Sequence, residues 1–477
     1  MNKESNISRA IVKAVGIFGG VQAVNVICSV VRAKLIALWI GPVGMGLFGL
    51  FNNTVEMIIA ITSLGIRNSS IPEIAKADNS GDAKLLATTI SLIRRWSWLV
   101  SIFGAVVTLA FASGLSQLVF DTDAHTWEFV LLASVMMFNG LANGEQSILQ
   151  GTSMLRRLAH ASMWGVVSGL VLSVPMFYFW GEKSVVPSII VYNAMIFLFS
   201  YIFRKKDYTK VKLSMRDTLD KGKGFVRLGI YMTVSGFITM LFTYIFSIYL
   251  NRTAGTDAVG LYQAGYTLYN KYVALVFTAI GYEYYPRISG VSDSKLRLHA
   301  FVSQQINVVM LVLLPLISVF LLVRELMVSI LYTAEFSTII LYISLAIIGT
   351  VFRAYSWCLA FVILAKGDGK TFIVTETISS AIGFILNVAF FELWGLNGLG
   401  IAYTMWYFIY CVIIQYVYNR KYKLSVSSGA IVNTLITLAV VVAVFVMVEY
   451  GWWILAIIAT VAISLYCGRK IYVMVKK

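Results

Sequence analysis

Long apolar runs alternate with short polar connections along the whole chain. Runs of about twenty residues, each able to cross a hydrocarbon core of roughly 30 Å as a helix, begin near Ile11, Gly46, Ile90, Phe129, Ala161, Val185, Phe225, Val259, Phe301, Ile339, Thr371, Leu396, Ala430 and Trp452. The pattern predicts an all-α polytopic membrane protein of about fourteen transmembrane helices. Lys3, Arg9 and Lys13 precede the first run, as bases precede the core of a signal peptide. That run continues to Ile40 and contains Arg32 and Lys34, so it is expected to be retained as the first span.

Hydrophobic residues are 59% of the 477 and charged residues only 13%, more apolar surface than a water-soluble globule needs. A net charge of +16 would suggest nucleic acid as a partner of a soluble protein. Here the bases fall on every second connection, at Lys76/Lys84, Arg156/Arg157, Arg204 to Arg227, Arg287/Lys295/Arg297, Lys366/Lys370, Arg420/Lys421/Lys423 and Arg469 to Lys477. The opposite connections hold only Lys183, Arg252 and Arg324 as bases, against Asp121, Asp123, Glu128, Glu182, Glu335, Glu392 and Glu449. This is the positive-inside bias, with both termini cytoplasmic, anionic lipid as the natural partner of the excess bases and no nucleic acid implied. Cys28, Cys358, Cys411 and Cys467 stand singly, and His125, His160 and His299 lie near helix ends. They offer no disulfide framework, metal site or nucleophilic triad.

The longest polar stretch, 204–224, reads as a basic cytoplasmic linker. It separates an N-terminal six-helix lobe (1–203) from a C-terminal six-helix lobe (225–424), followed by an additional helix pair (425–477). A register of 214 residues brings Gly41, Gly46, Leu47, Pro72 and Ile74 onto Gly255, Gly260, Leu261, Pro286 and Ile288. Both copies start inside after an even number of spans, so the lobes read as parallel repeats, an architecture used for alternating access.

A charge at mid-bilayer costs about 2.5–3.5 kcal/mol on insertion scales, so it should face protein, water or a ligand. At about 100° per residue, Gln22, Asn25, Ser29 and Arg32 fall within roughly 80° on the first span, whereas Lys34 points away toward the outer interface. Asn52, Glu56, Ser63, Arg67 and Ser70 make one stripe on the second span. On the eighth, Gln263, Thr267, Asn270, Lys271 and Thr278 share an arc, while Tyr262, Tyr266 and Tyr269 turn aside and read as packing or lipid contacts. Arg353 sits well inside the tenth span, Glu376, Ser380, Gly383 and Asn387 line the eleventh, and Glu145 joins Asn139 and Asn143 on the fourth. Arg94 and Arg95, before Trp96 and Trp98, read as inner-interface residues and not as ligands. The candidate anion-binding set is Arg32, Lys271, Arg353, Arg67, Asn25 and Asn270; Glu56, Glu145 and Glu376 are the candidates for ion coupling. Two readings stay open on spacing: the bases converge on a cavity for an anionic group, or they pair with those acids.

The segments "VVRAKLIALWIGPVGMGLFGL", "LGIRNSSIPEIAKA", "VGLYQAGYTLYNKYV…YEYYPRIS" and "FVILAKGDGKTFIVTE" resemble bacterial lipid-linked oligosaccharide flippases. These are the Wzx-like O-antigen and enterobacterial-common-antigen type, of the polysaccharide transporter family in the multidrug/oligosaccharidyl-lipid/polysaccharide exporter superfamily. The likeness covers roughly the first 420 residues. It implies a two-lobed inner-membrane transporter that moves an undecaprenyl-pyrophosphate-linked oligosaccharide to the periplasmic leaflet, alongside other polysaccharide assembly proteins. It also implies that Arg32 and Lys271 line the cavity, at places matching bases in related flippases. Where some relatives carry an arginine pair in the second helix, this chain has Ile59 and Ala60, and Arg67 is the nearest substitute. No enzyme chemistry or cofactor is implied beyond a coupling proton or sodium ion. A drug or cation exporter of the same superfamily would want an acidic cavity. A membrane glycan polymerase or ligase would want a sizeable outward loop, and the longest here runs only from Ser113 to Trp127.

Overall fold

A computed structural model describes the backbone of residues 2–206, 211, 213–291 and 294–476, with side chains from residue 20 onward except for positions within 225–235, 275–289 and 474–476. Lys3, Arg9, Ile11, Lys13, Phe225, Arg227, Thr278 and Pro286, which entered the sequence reading, lie outside the described side chains. The helices are α1 (Asn2–Trp39), α2 (Gly41–Thr62), α3 (Ile66–Asn79), α4 (Ala83–Ala110), α5 (Ala112–Phe120), α6 (Thr126–Gly151), α7 (Leu155–Trp180) and α8 (Val185–Ile202). They continue with α9 (Met215–Ala254), α10 (Thr256–Val291), α11 (Lys295–Leu331), α12 (Ile339–Ala365), α13 (Gly369–Arg420), α14 (Ser428–Glu449) and α15 (Trp453–Lys476). An all-helical fold is what a bilayer dictates, since backbone groups in hydrocarbon must find their partners within the segment.

Nine stretches of the described residues are long and apolar enough to cross a membrane. Two of them, Leu155–Ile202 and Gly369–Arg420, each hold two predicted spans. α13 is divided by non-helical backbone at Trp394 and Gly395, the latter at φ 58°. The predicted spans near Phe129, Phe225 and Val259 fall on α6, α9 and α10, which are more polar or incompletely described.

Three local expectations change. The second-span stripe is broken, because α2 ends at Thr62 and α3 starts at Ile66 after Leu64 (φ 51°) and Gly65 (φ 63°). Arg67 therefore does not continue the phase of Glu56. Gly65 is required there: a Cβ would lie 2.6 Å from the Gly229 carbonyl carbon on α9. The connection from Ser113 to Trp127, expected on the outer side, holds most of α5, whose last carbonyls are capped from α9 by Arg252 (Nε to Leu118 O, 3.0 Å) and Asn251 (Nδ2 to Val119 O, 2.8 Å). The basic segment 204–224 is helical from Met215, because Ser214 and Asp217 form a capping box, and Trp96 Nε1 donates to the Thr218 carbonyl at 2.9 Å.

Charge divides the sequence at 204–224, whereas packing gives two compact units, Met1–Gly260 and Leu261–Lys477, because α9 packs on α2, α3, α4 and α5. Within the first unit small residues bring helices together. A Cβ on Gly140 or Gly144 of α6 would strike the Ser101 or Ser97 hydroxyl of α4. A Cβ on Gly46 would strike the Thr256 carbonyl, and one on Gly260 the Pro42 carbonyl. These two contacts are related by the 214-residue register.

In the second unit α12 and α13 pack closely, and α14 and α15 lie on α11. Arg324 of α11, 3% exposed, donates to Glu449 Oε2 at 2.7 Å on α14 and to Ser344 Oγ at 2.8 Å on α12. Asn433 Nδ2 of α14 donates to Asn307 Oδ1 of α11 at 2.7 Å. The connection into α13 is pinned to its far end. Asp368 caps α13 through Thr371 N (3.2 Å) and receives Lys421 Nζ (2.6 Å) and Tyr422 Oη (2.8 Å).

The Lys421 ammonium, helped by the Tyr422 and Thr371 donors and opposed by partial burial, holds the Asp368 carboxyl well below the usual carboxylate range. A carboxyl depressed by folding contributes stability that is complete above its unfolded pKa of about 3.9 and is lost as pH falls through the folded value. The gap in thermal midpoint between the wild type and Asp368→Asn is therefore expected to be constant from about pH 7 to 5 and to narrow below about pH 4. Thermal scans in detergent across that range measure it, and a gap that widens on acidification would contradict the assignment.

Candidate functional site

The first unit contributes Arg32. It stands half-buried on α1 with its guanidinium 4.3 Å from the Tyr192 ring centroid of α8 and 4.9 Å from that of Phe48 on α2. Ring faces hold a cation without consuming its N–H donors, so the five-donor fork stays available for an oxyanion. Arg32 interacts electrostatically with Glu56, but no carboxylate lies within 4 Å of it among the described residues. Glu56 instead accepts from Asn52 Nδ2 one turn earlier, at 2.8 Å. Asn25, two turns before Arg32, has a buried side-chain oxygen that meets no donor among the described residues. Lys34 is exposed.

The second unit contributes Arg353 and Asn270, which the structure brings together. Arg353 Nη1 of α12 donates to Asn270 Oδ1 of α10 at 2.7 Å and to Tyr403 Oη of α13 at 3.1 Å. Phe277 and Tyr407 stand against the guanidinium at 5.2 and 5.6 Å from their ring centroids. Lys271 follows Asn270 on the helix and is half-buried. Tyr262 and Tyr269 are buried against Tyr342, with centroids 6.4 and 5.9 Å away, so they pack and offer no sugar platform.

The remaining candidates have partners of their own. Arg67 on α3 donates to Asn143 Oδ1 of α6 at 3.0 Å, and Asn143 in turn to Asn139 Oδ1 at 2.7 Å. Glu145 is gripped by Arg94 through both oxygens, Nε to Oε1 at 2.7 Å and Nη2 to Oε2 at 2.8 Å. Glu376 accepts from Tyr410 Oη, and no base lies within ion-pair distance of it among the described residues. Among the described residues, Arg32, Arg67 and Arg353 make no ion pair within 4 Å of these three acids. Arg94, set aside as interfacial, is the base that takes an acid.

Spacing had not singled out Tyr192, Tyr403, Tyr407 and Tyr410. The last three recur at i, i+4 and i+7, a single helical face that could have flagged them. Tyr192 had no such signal, since its role comes only from the helix packed across from it. The assembled chemistry binds and orients: arginines on aromatic faces, amides and phenols, suited to an oxyanion or a hydroxyl-rich group.

Solved structures share this all-helical membrane fold. The lipid II flippase MurJ, in an inward closed conformation, superposes with a TM-score of 0.73 at 12% identity over 96% of this chain and 99% of that one. An inward-facing multidrug resistance MATE family transporter of the MOP superfamily gives 0.70 at 13% identity, over 83% and 94%. A Shigella flexneri protein named provisionally as an O-antigen transporter is 24% identical over 414 residues, 83% of this chain and 95% of that one. Residues 40–341 match the polysaccharide biosynthesis protein family, and the chain belongs to that family.

Proposed function

We propose that this protein is a flippase for an undecaprenyl-pyrophosphate-linked oligosaccharide repeat unit, carrying it from the cytoplasmic to the periplasmic leaflet of a bacterial inner membrane. The observation that carries the reading is Arg32, a base inside a membrane span whose aromatic setting leaves its donor fork unspent among the described residues. A pyrophosphate suits that fork, because a guanidinium takes two oxygens at once. Family membership and the Shigella relative support a polysaccharide precursor as cargo.

In this reading Arg32 of the first unit receives the pyrophosphate, and the second unit by itself offers Lys271 and the Arg353–Asn270 pair as donors for an anionic or hydroxyl-rich group. The polyprenyl tail stays in lipid, and alternating access moves the head across. Loading must not trap the cargo in one state, so affinity is moderate. Glu376, whose one partner among the described residues is the Tyr410 phenol, is the acid best suited to carry a coupling proton or sodium ion. A cation exporter would need its acids uncovered, and Glu145 is already neutralised by Arg94.

The test is the leaflet position of the lipid-linked sugar. A deletion strain is expected to accumulate unflipped single repeat units on the cytoplasmic leaflet, protected from an impermeant sugar-modifying reagent until the membrane is opened. Units that react in intact spheroplasts would instead indicate a lost polymerase or ligase and would refute transport.

A further inference from the structure

We infer a second anion site in this protein, separate from Arg32: a small cavity between α4, α6 and α8 that takes the phosphate of an anionic phospholipid headgroup. Its volume is about 120 Å³, and Arg94, Ser97, Trp98, Glu145, Tyr201 and Arg204 line it. A drug-sized ligand needs about 300 Å³ or more, whereas one water occupies about 30 Å³, so the space suits a phosphate group.

Charge selects an anion. Glu145 also lines the cavity, but both its oxygens are bound by Arg94, whose Nη2 further donates to the Lys205 carbonyl at 3.1 Å. That pair is internally neutral. Arg204 supplies the excess charge: its guanidinium lies 3.7 Å from the Tyr201 ring centroid, and among the described residues none of its donors meets an acceptor. A ring-clamped guanidinium with an open fork beside a cavity is arranged to receive an oxyanion.

The walls select a lipid over a free ion. Trp98 is 51% exposed and Tyr201 45%, each on a helix long and apolar enough to cross a membrane. Amphipathic rings of this kind sit at the headgroup level of a bilayer. The cavity opens beside the start of the basic segment 204–224, the membrane face to which anionic lipid is drawn. Gly144 lets α6 close on α4 beside the cavity, since a Cβ there would strike Ser97 Oγ. The inference uses only the first unit and does not depend on the flippase reading.

The full chain, purified in detergent and supplied with phosphatidylglycerol or phosphatidylcholine, can be weighed intact by native mass spectrometry. The wild type is expected to retain phosphatidylglycerol in preference to phosphatidylcholine. Arg204→Gln, loaded identically, should lower phosphatidylglycerol occupancy about tenfold, the effect of losing a charge-assisted hydrogen bond. Tyr201→Ala, which keeps the guanidinium and removes its platform, should also lower it, so the outcome does not hang on one variant's folding. Millimolar inorganic phosphate should not displace the lipid. Equal retention by the wild type and both variants, equal retention of the two lipids, or displacement by inorganic phosphate would each overturn the proposal, the last by showing a free-phosphate site.

Discussion

Arg32→Ala combined with Lys271→Ala is expected to reduce surface glycan to the level of a deletion strain while the protein stays in the membrane at wild-type abundance. Each lost charge-assisted contact weakens binding by about 1.5–3 kcal/mol, or roughly ten- to a hundredfold, and two such losses leave little cargo bound. Arg32→Ala alone should lower export strongly, and Arg32→Lys should recover only part of it. Lysine keeps the charge but loses both the planar fork and the fit to the Tyr192 and Phe48 faces. Glycan laddering on gels, read beside an immunoblot of the membrane fraction, measures this. Normal glycan from the double variant would remove Arg32 and Lys271 from the site.

The largest effect on stability is expected at Glu449. Arg324 is 3% exposed, and its Nε already lacks a partner among the described residues. Glu449→Ala would strand a buried guanidinium at a cost of about 3 kcal/mol, the lower end of the range for breaking a buried pair. The lower end applies because the Glu449 side chain keeps 44% of its surface open. Arg324→Met with Glu449→Met, which removes both charges, should recover most of the loss, since apolar replacement of a buried pair is often neutral. Thermal unfolding in detergent measures both variants. A midpoint for Glu449→Ala equal to that of the wild type would show that the pair contributes nothing. The ion pair also ties α14 to α11, whose Arg324 in turn holds Ser344 of α12.

Span positions were legible because twenty-residue apolar periodicity survives without any tertiary information. The break after α2 was not: Leu64 and Gly65 look like ordinary span residues, and the Gly229 backbone that requires glycine at 65 belongs to a helix distant in sequence. Helical phase put Asn270 and Lys271 on a polar face of α10, and Asn270 meets Arg353. It could not identify the partners of the acids. Glu145 and Arg94 are 51 residues apart on different helices, and pairing across helices leaves no mark in either one's periodicity. The aromatic seats of Arg32 and Arg353 were hidden for a related reason, since aromatic residues are common throughout this chain and only packing shows which ones face a base.

The reciprocal approach of Gly46 to Thr256 and of Gly260 to Pro42 gives the packing there a local twofold character. A contact that occurs twice under one sequence offset is what a self-associating molecule makes, because an isologous pair repeats every interaction with the partners exchanged. Here both halves of such a pair lie within one compact unit of a single polypeptide, so a side chain at either glycine is expected to force apart the same two backbones.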